Sequence, residues 1–190
     1  MTYALEQLNS RIVDCTKCEL MNQGQKRVVG IGAIKPLVFF LGESPGRLGA
    51  DQTGIPFTQD RSGRLLRKMI AEIELRTQEI YISNVLKCNP RNEKGKNRRP
   101  SKEELANCHE YLLAELRTVR PKITVPLGEM ASRELLEKRV RMKEINAKVF
   151  NHVEFGVIFP LFHPGYIIRG NHSLLEYRND FAFLRALIKL

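Results

Sequence analysis

Three short apolar segments of this 190-residue chain each lead to a polar side chain that can do chemistry, namely Glu43, Asn84 and His163. A carboxylate orients or deprotonates water, an amide donates and accepts at once, and an imidazole stabilises a developing anion. Because ligands of open α/β sheets bind beyond the carboxyl ends of the strands, we expect these groups to share one site. The competing interpretations are a carboxylate in a surface turn, an amide satisfied by backbone and a structural histidine.

The apolar segments alternate with segments of helical periodicity, which indicates an α/β protein. Strands are predicted at residues 37–41, 80–86, 123–127 and 157–162, because each is a short continuous apolar run. Helices are predicted at residues 4–13, from about 62, from the capping box at 101–104 up to Pro121, at 129–136 and at 174–190. Residues 27–32 fit either a strand or an irregular segment, and residues 138–148 are ambiguous. We expect a three-layer α/β/α sandwich with a mostly parallel sheet, in a single domain spanning residues 1–190.

Four cysteines suggest a metal centre. Cys15 and Cys18 form a Cys-x-x-Cys pair, whereas Cys88 and Cys108 lie far from that pair and from each other. In a reducing compartment two structural disulfides are not expected, and the four thiols can instead hold zinc or an iron–sulfur cluster. The alternative is four buried free cysteines.

The charge balance favours a polyanionic partner. Lys and Arg total 31 against 21 for Asp and Glu, which gives a formal net charge of +10. Neutralising phosphates releases counterions, so nucleic acid is a natural partner, although a solvated basic surface is the alternative. Residues 89–100 have no periodicity and read as a flexible basic loop with candidate phosphate contacts at Arg91, Lys94, Lys96, Arg98 and Arg99.

No membrane or export signal is found in the sequence. No apolar run reaches the roughly 18 residues of a membrane span. The first residues lack the basic-then-apolar pattern of a signal peptide. A cytoplasmic protein is therefore expected.

Five short motifs follow one another along the chain, and each is weak alone but specific in this order. They are Gly-Glu-Ser-Pro-Gly at residues 42–46, Gly-Ile-Pro-Phe at 54–57, Asn-Val-Leu-Lys-Cys at 84–88, Pro-Leu-Gly at 126–128 and Phe-His-Pro at 162–164. Together with the four cysteines they resemble the family 4 uracil-DNA glycosylases, the iron–sulfur branch of that superfamily. The resemblance extends from Cys15 to about Arg169.

This resemblance implies a central four-stranded, mostly parallel sheet and a [4Fe-4S] cluster on the four cysteines. It also implies hydrolysis of the N-glycosidic bond of uracil flipped out of single- or double-stranded DNA, which leaves an abasic site and initiates base-excision repair. Uracil-containing DNA is then the partner, and the protein would be nucleoid-associated when bound to it. A sliding clamp or other repair proteins are candidate further partners, and a monomer is expected.

Carried over by position, the resemblance assigns roles to four side chains. Phe57 stacks on the flipped uracil, and Asn84 reads its edge by accepting from N3–H and donating to O4. His163 contacts O2 as a neutral donor. Glu43 serves the attacking water and the developing sugar cation.

Other positions follow or depart from the family pattern. Gly42 and Ser44 belong to the implied uracil site, although position 44 is more often Gly or Ala in the family. Residues 58–61 replace the Gly-Lys/Arg that commonly follows Pro-Phe. Arg169 joins the predicted DNA contacts. A related branch traps DNA covalently through a histidine in the loop equivalent to 93–99; this chain has none there, so trapping is not expected.

Two other functions compete with this interpretation. A metal-stapled DNA-binding module shares the charge and the cysteines but has no use for a converging carboxylate, amide, phenyl ring and imidazole. A nucleotide hydrolase or transferase needs a phosphate loop such as Gly-x-x-x-x-Gly-Lys-Ser/Thr, which this sequence lacks.

Overall fold

The chain forms a six-stranded mixed sheet covered by helices on both faces. The structure is a computed structural model that describes residues 3–23 and 26–190. The strands in these residues are β1 (Ile31–Gly32), β2 (Val38–Gly42), β3 (Ile80–Asn84), β4 (Ile123–Pro126), β5 (Phe150–His152) and β6 (Gly156–Ile158).

The strand order explains where a site can form. The order is β1-β3-β2-β4-β6-β5, with the four central strands parallel and the two edge strands antiparallel to their neighbours. The chain leaves β2 towards β3 on one side and leaves β4 towards β6 on the other. A crevice therefore opens beyond the carboxyl ends of β2 and β4, which is the usual ligand position in such sheets.

Eight α-helices lie among the described residues. They are α1 (Tyr3–Val13), α2 (Ala50–Thr53), α3 (Arg61–Glu72), α4 (Lys102–Val119), α5 (Glu129–Leu136), α6 (Met142–Ile145), α7 (Pro164–Ile168) and α8 (Leu174–Ile188). The alternation of side chains along β2 makes two cores. Phe40 packs with α3, α7 and α8 on one face, and its ring stacks 6.1 Å from that of Phe181. Phe39 and Leu41 pack with α1, α4 and α5 on the other.

Local signals determine where α4 and α3 begin. Ser101 accepts from the amide of Glu104 at 3.1 Å while the Glu104 carboxylate accepts from the Ser101 amide at 2.8 Å, so the predicted capping box is formed. Asp60 caps α3 by accepting from the amide of Gly63 at 2.6 Å, so the helix begins at Arg61, one residue before the expected start near Ser62.

The predicted α/β/α sandwich is confirmed, and its four predicted strands form the parallel centre of the sheet. The edge strands β1 and β5 are only two and three residues long, too short for a periodicity signal. The predicted strand 157–162 ends at Ile158, and beyond it only Leu161 bridges back to Leu127. The ambiguous segment 138–148 contains the short helix α6. None of the described helices is long and apolar enough to cross a membrane.

The basic segment 89–100 is more ordered than the predicted flexible loop. Arg91 and Asn97 form an antiparallel bridge, and the Asn92 side chain accepts from the amides of Lys94 and Lys96 at 3.0 Å each. The segment is therefore a small hairpin with its own hydrogen bonds. Its anchor is Asn89, whose amide donates to the carbonyl of Pro45 at 2.5 Å.

Candidate active site

A cavity of about 840 Å³ opens at the crevice between β2 and β4. The segments that follow the central strands form its floor, and α3, α5, α6 and α7 contribute to its sides. Four predicted site residues line this cavity although up to 120 positions separate them in the chain: Glu43, Phe57, Asn84 and His163. The predicted site residue Ser44 lines it too.

Glu43 comes directly after the last residue of β2 and is half-buried. Burial raises the pKa of its carboxyl group, an effect that Arg99 and Arg133 oppose and Glu129 reinforces. A carboxylate with a raised pKa at a cleft is typical of a functional group rather than of a surface turn. Its position allows it to orient a water and to accept a proton from it.

Asn84 ends β3 with its side chain buried against β2. Its amide oxygen Oδ1 is buried and has no hydrogen-bond partner among the described residues. Leaving such an acceptor unpaired costs about 1–3 kcal/mol, so a donor from a ligand is the expected partner. Gly42 makes room for it, because a Cβ there would overlap Asn84 Oδ1 and lie 2.7 Å from ring carbons of Phe57.

Phe57 is held in an uncommon backbone conformation, with φ at +51°. Arg67 on α3 fixes this turn, since its guanidinium donates to the carbonyls of Phe57 at 2.8 Å and Pro56 at 3.1 Å. Gly63 permits the close approach of the turn to α3, because a Cβ there would lie 2.5 Å from the Phe57 carbonyl carbon. The phenyl ring consequently faces the cavity, 5.9 Å from the ring of His163.

His163 is the N-cap residue of α7. Its Nδ1 accepts from the amide of Gly165 at 3.0 Å. Burial, assisted by the guanidinium of Arg169, lowers the pKa of His163 to about 4. The ring is therefore neutral at neutral pH, and because Nδ1 is an acceptor, the proton belongs on Nε2. A neutral imidazole with Nε2–H free to donate suits the stabilisation of an anion.

The predicted DNA contacts separate into two groups. Three of the six basic side chains line the cavity, namely Arg98, Arg99 and Arg169. The other three do not line it, namely Arg91, Lys94 and Lys96. Two of them are engaged within the protein. The guanidinium of Arg91 pairs with the buried Asp51, and that of Arg98 binds Glu104 at 2.5 and 2.9 Å. These two contacts fix the hairpin and leave less charge for a ligand than the sequence suggests.

Sequence reasoning missed a buried polar network behind Asn84. Lys87 Nζ donates to Glu115 at 2.5 Å, to Ser83 Oγ at 2.9 Å and to the backbone carbonyl of Asn84 at 2.8 Å. Glu115 also accepts from the amide of Gly30 at 3.2 Å. Lys87 and Glu115 are almost fully buried, and no local pattern pairs residues 28 positions apart. The network fixes the backbone on which Asn84 sits.

The four cysteines lie on the opposite side of the sheet from Phe57. All are free thiols, and they share one apolar cluster with α1 and α4. The pKa of Cys88 is raised to about 12, mainly by burial, with contributions from the nearby Cys108, Cys18 and Cys15 that Arg27 opposes. In the part of the chain that the structure describes, no three or more His, Cys, Asp or Glu side chains form a group that could hold a metal ion.

Comparisons with known proteins agree with this geometry. The family model of the uracil DNA glycosylase superfamily matches residues 29–189. The type-4 uracil-DNA glycosylase of Archaeoglobus fulgidus is 33% identical over 185 residues, covering 94% of this chain and 90% of that protein. That of Thermotoga maritima is 34% identical over 173 residues, covering 90% and 87%. That of Sulfurisphaera tokodaii is 31% identical over 194 residues, covering 97% and 84%. The chain belongs to the type-4 uracil-DNA glycosylases of the uracil-DNA glycosylase superfamily.

Proposed function

We propose that this protein removes uracil from DNA by hydrolysing its N-glycosidic bond, the first step of base-excision repair. Its membership in the type-4 uracil-DNA glycosylases supports this activity. The observation that carries it is the buried, unpaired Oδ1 of Asn84 beside the ring of Phe57. An acceptor next to an aromatic face suits a flat base that carries an N–H donor.

Recognition requires the base to leave the duplex. Extruding it costs a few kcal/mol, and stacking on an aromatic ring recovers about 1–3 kcal/mol. Phe57 offers that ring. Asn84 accepts from N3–H of uracil and donates to O4, whereas cytosine presents the opposite pattern. The buried polar groups would then be unpaired, which adds to the discrimination.

Bond cleavage creates two charges that the site can stabilise. The C1′–N1 bond breaks with its electron pair going to uracil, so the base becomes an anion and the sugar a cation. His163 donates from Nε2 to O2 of the leaving base. Glu43 offsets the sugar cation and orients the water that adds to C1′, and its carboxylate then accepts the proton that this water loses. Preorganised groups of this kind are usually the largest single contribution to catalysis.

Product analysis on oligonucleotides with one uracil, single- and double-stranded, tests the proposal. The parent protein should release free uracil and leave an abasic site. His163→Ala should lower the single-turnover rate by about 10²–10³-fold, the usual effect of removing one donor to a developing anion. His152→Ala, a histidine in the β5–β6 hairpin, is the matched control. A protein that binds DNA but releases no uracil would be the metal-stapled binding module instead.

We further propose that Cys15, Cys18, Cys88 and Cys108 hold a [4Fe-4S] cluster. The all-sulfur donor set, the shared apolar surroundings and the mutual effects on thiol pKa support it. Four cysteine thiolates are the donor set that holds iron–sulfur clusters, so these four residues would be the ligands. When bound, the cluster would supply a cross-link between the N-terminal segment, the end of β3 and α4.

Metal analysis decides this proposal. Protein made under iron-replete, anaerobic conditions should be brown and contain iron and sulfide. Stoichiometric zinc without iron would reject the cluster. The single domain, the monomeric state, a clamp or other repair partner, and the cytoplasmic, nucleoid-associated location stay predictions from the sequence.

A further inference from the structure

One wall of the cavity comes from a segment that the sequence leaves without a function. Arg141 and the α6 residues Met142, Lys143 and Glu144 line the cavity together with the uracil-site side chains. Arg99 from the basic hairpin and Arg169 from the end of α7 line it as well. Cationic side chains therefore reach this cavity from three separate segments of the chain.

The cavity is much larger than one base. Cavities of about 300–1,000 Å³ enclose drug-sized ligands, and this one measures about 840 Å³. A single pyrimidine on Phe57 and Asn84 leaves most of that volume free. Its remaining walls must therefore suit whatever is attached to the base, and in DNA that is the sugar and its flanking phosphates.

The charges on α6 are available for a ligand. Lys143 is exposed and makes no hydrogen bond or ion pair with any residue that the structure describes. Arg141 pairs only with Glu144, at 3.3 Å, and both side chains are mostly exposed, at 84% and 61%. Such surface pairs contribute about 0–1 kcal/mol, so a phosphate can displace the carboxylate. Arg98, by contrast, is fixed by Glu104.

We propose that Arg141 and Lys143 bind phosphates of the DNA strand next to the flipped nucleotide. The inference rests on the proposed function, since it names how the same cavity holds the rest of its substrate. A guanidinium binds phosphate in a bidentate manner, and an ammonium binds it as a point charge. The carboxylates of Glu129 and Glu144 also line the cavity and repel phosphate. The strand is consequently confined to the basic part of the wall.

The salt dependence of DNA binding tests the proposal. Each phosphate contact contributes about 0.9 to the slope of log K against log salt on duplex DNA. Arg141→Gln/Lys143→Gln should flatten the slope by about 1.8, so that between 50 and 200 mM salt the variant loses roughly 12-fold less affinity than the parent. Lys138→Gln/Arg139→Gln removes the same charge from a separate groove shared with His109 and should leave the slope near the parent value.

The probe is a fluorescently labelled duplex with one uracil on a cleavage-resistant 2′-fluoro sugar, so binding of the flipped nucleotide is measured without cleavage. The inference would be overturned if Arg141→Gln/Lys143→Gln had the same slope of log K against log salt as the parent. It would also be overturned if both double variants flattened that slope equally. Glu144→Gln should tighten DNA binding severalfold, because it releases Arg141 from its ion pair. A misfolded variant would bind DNA more weakly, so misfolding cannot produce this result. Unchanged or weaker DNA binding by Glu144→Gln would also count against the inference. Uracil release by the parent is measured separately, and its absence would refute the proposed function instead.

Discussion

His163 is a residue whose surroundings keep it neutral, and this has a consequence for stability. Its pKa of about 4 in the folded protein lies below the value of about 6.5 in an unfolded chain. Between these values the unfolded state binds the extra proton, so stability is lost as the pH falls below 6.5. At pH 4.5 the loss from this residue is about 2–3 kcal/mol.

Urea unfolding at pH 7 and pH 4.5 measures this effect in the parent and in His163→Gln. The variant has no group titrating at this position, so the parent should lose about 2–3 kcal/mol more than the variant over that interval. Other titrating groups are common to both proteins and cancel in the comparison. Equal losses would show that His163 is protonated in the folded state at pH 4.5.

Asn84 is the residue from which base selectivity is expected to come. In Asn84→Asp the carboxylate has no N–H for O4 of uracil and can accept from the amino group of cytosine. The ratio of uracil to cytosine excision should fall by about 5- to 150-fold, corresponding to the 1–3 kcal/mol of a bidentate base contact. Matched uracil- and cytosine-containing strands give this ratio directly.

Asn97→Asp is the control for that experiment. Asn97 also lines the cavity, but its Oδ1 accepts from Asn89 at 3.1 Å and a carboxylate can do the same. The same chemical change should therefore leave the ratio as it is in the parent. A ratio that is unchanged in Asn84→Asp would remove this residue from the account of selectivity.

Between elements, the Lys87–Glu115 pair joins the end of β3 to α4. Both side chains are almost fully buried, and Ser83 and the Asn84 carbonyl complete the contacts of the ammonium group. Removing one member of a buried pair leaves an uncompensated charge, which costs about 3–5 kcal/mol. Lys87→Met should accordingly lower the free energy of unfolding by that amount in a urea titration.

The double variant Lys87→Met/Glu115→Leu separates charge from packing. Replacing a whole buried pair with apolar side chains is often neutral, so the double variant should recover most of the stability lost by the single one. If the free energy of unfolding of Lys87→Met lay within about 1 kcal/mol of the parent value, Glu115 would not be left as an isolated buried charge when Lys87 is absent.

The structure agrees best with those predictions that rest on a pattern within a single segment of the sequence. Glu43, Asn84 and His163 are recognisable because a polar residue interrupts or follows an apolar run, and α4 because Ser101 and Glu104 form a capping box. By contrast, β1, β5 and α6 are two to four residues long and carry no apolar run or periodicity of their own to detect. The pairing of Lys87 with Glu115 depends on tertiary packing alone.

At the scale of the whole molecule, the sum of charges predicts a polyanionic partner but not where it binds. The segment predicted as a flexible basic loop is a hairpin that uses Arg91 and Arg98 to bind Asp51 and Glu104. Net charge contains no information on such internal pairing. The cations that line the cavity without a buried partner come from separate segments, which only the folded chain brings together.

The proposed cluster would be a cross-link across the whole molecule. Closing a loop as long as that from Cys18 to Cys88 stabilises a protein by about 4 kcal/mol in the chain-entropy model. For a chain of this size that corresponds to a thermal midpoint about 8–16 °C higher. Cys15→Ser/Cys18→Ser should therefore lose iron and melt about 10 °C lower.

Calorimetry under anaerobic conditions measures this shift, and parent protein stripped of iron with a chelator provides the comparison. The stripped parent and Cys15→Ser/Cys18→Ser should melt at similar temperatures, because both lack the same cross-link. The proposed catalytic residues Glu43 and His163 lie on other segments, so both forms should still bind uracil-containing DNA below their midpoints. Loss of iron without any fall in the midpoint would mean that the four cysteines do not tie the N-terminal segment to β3 and α4.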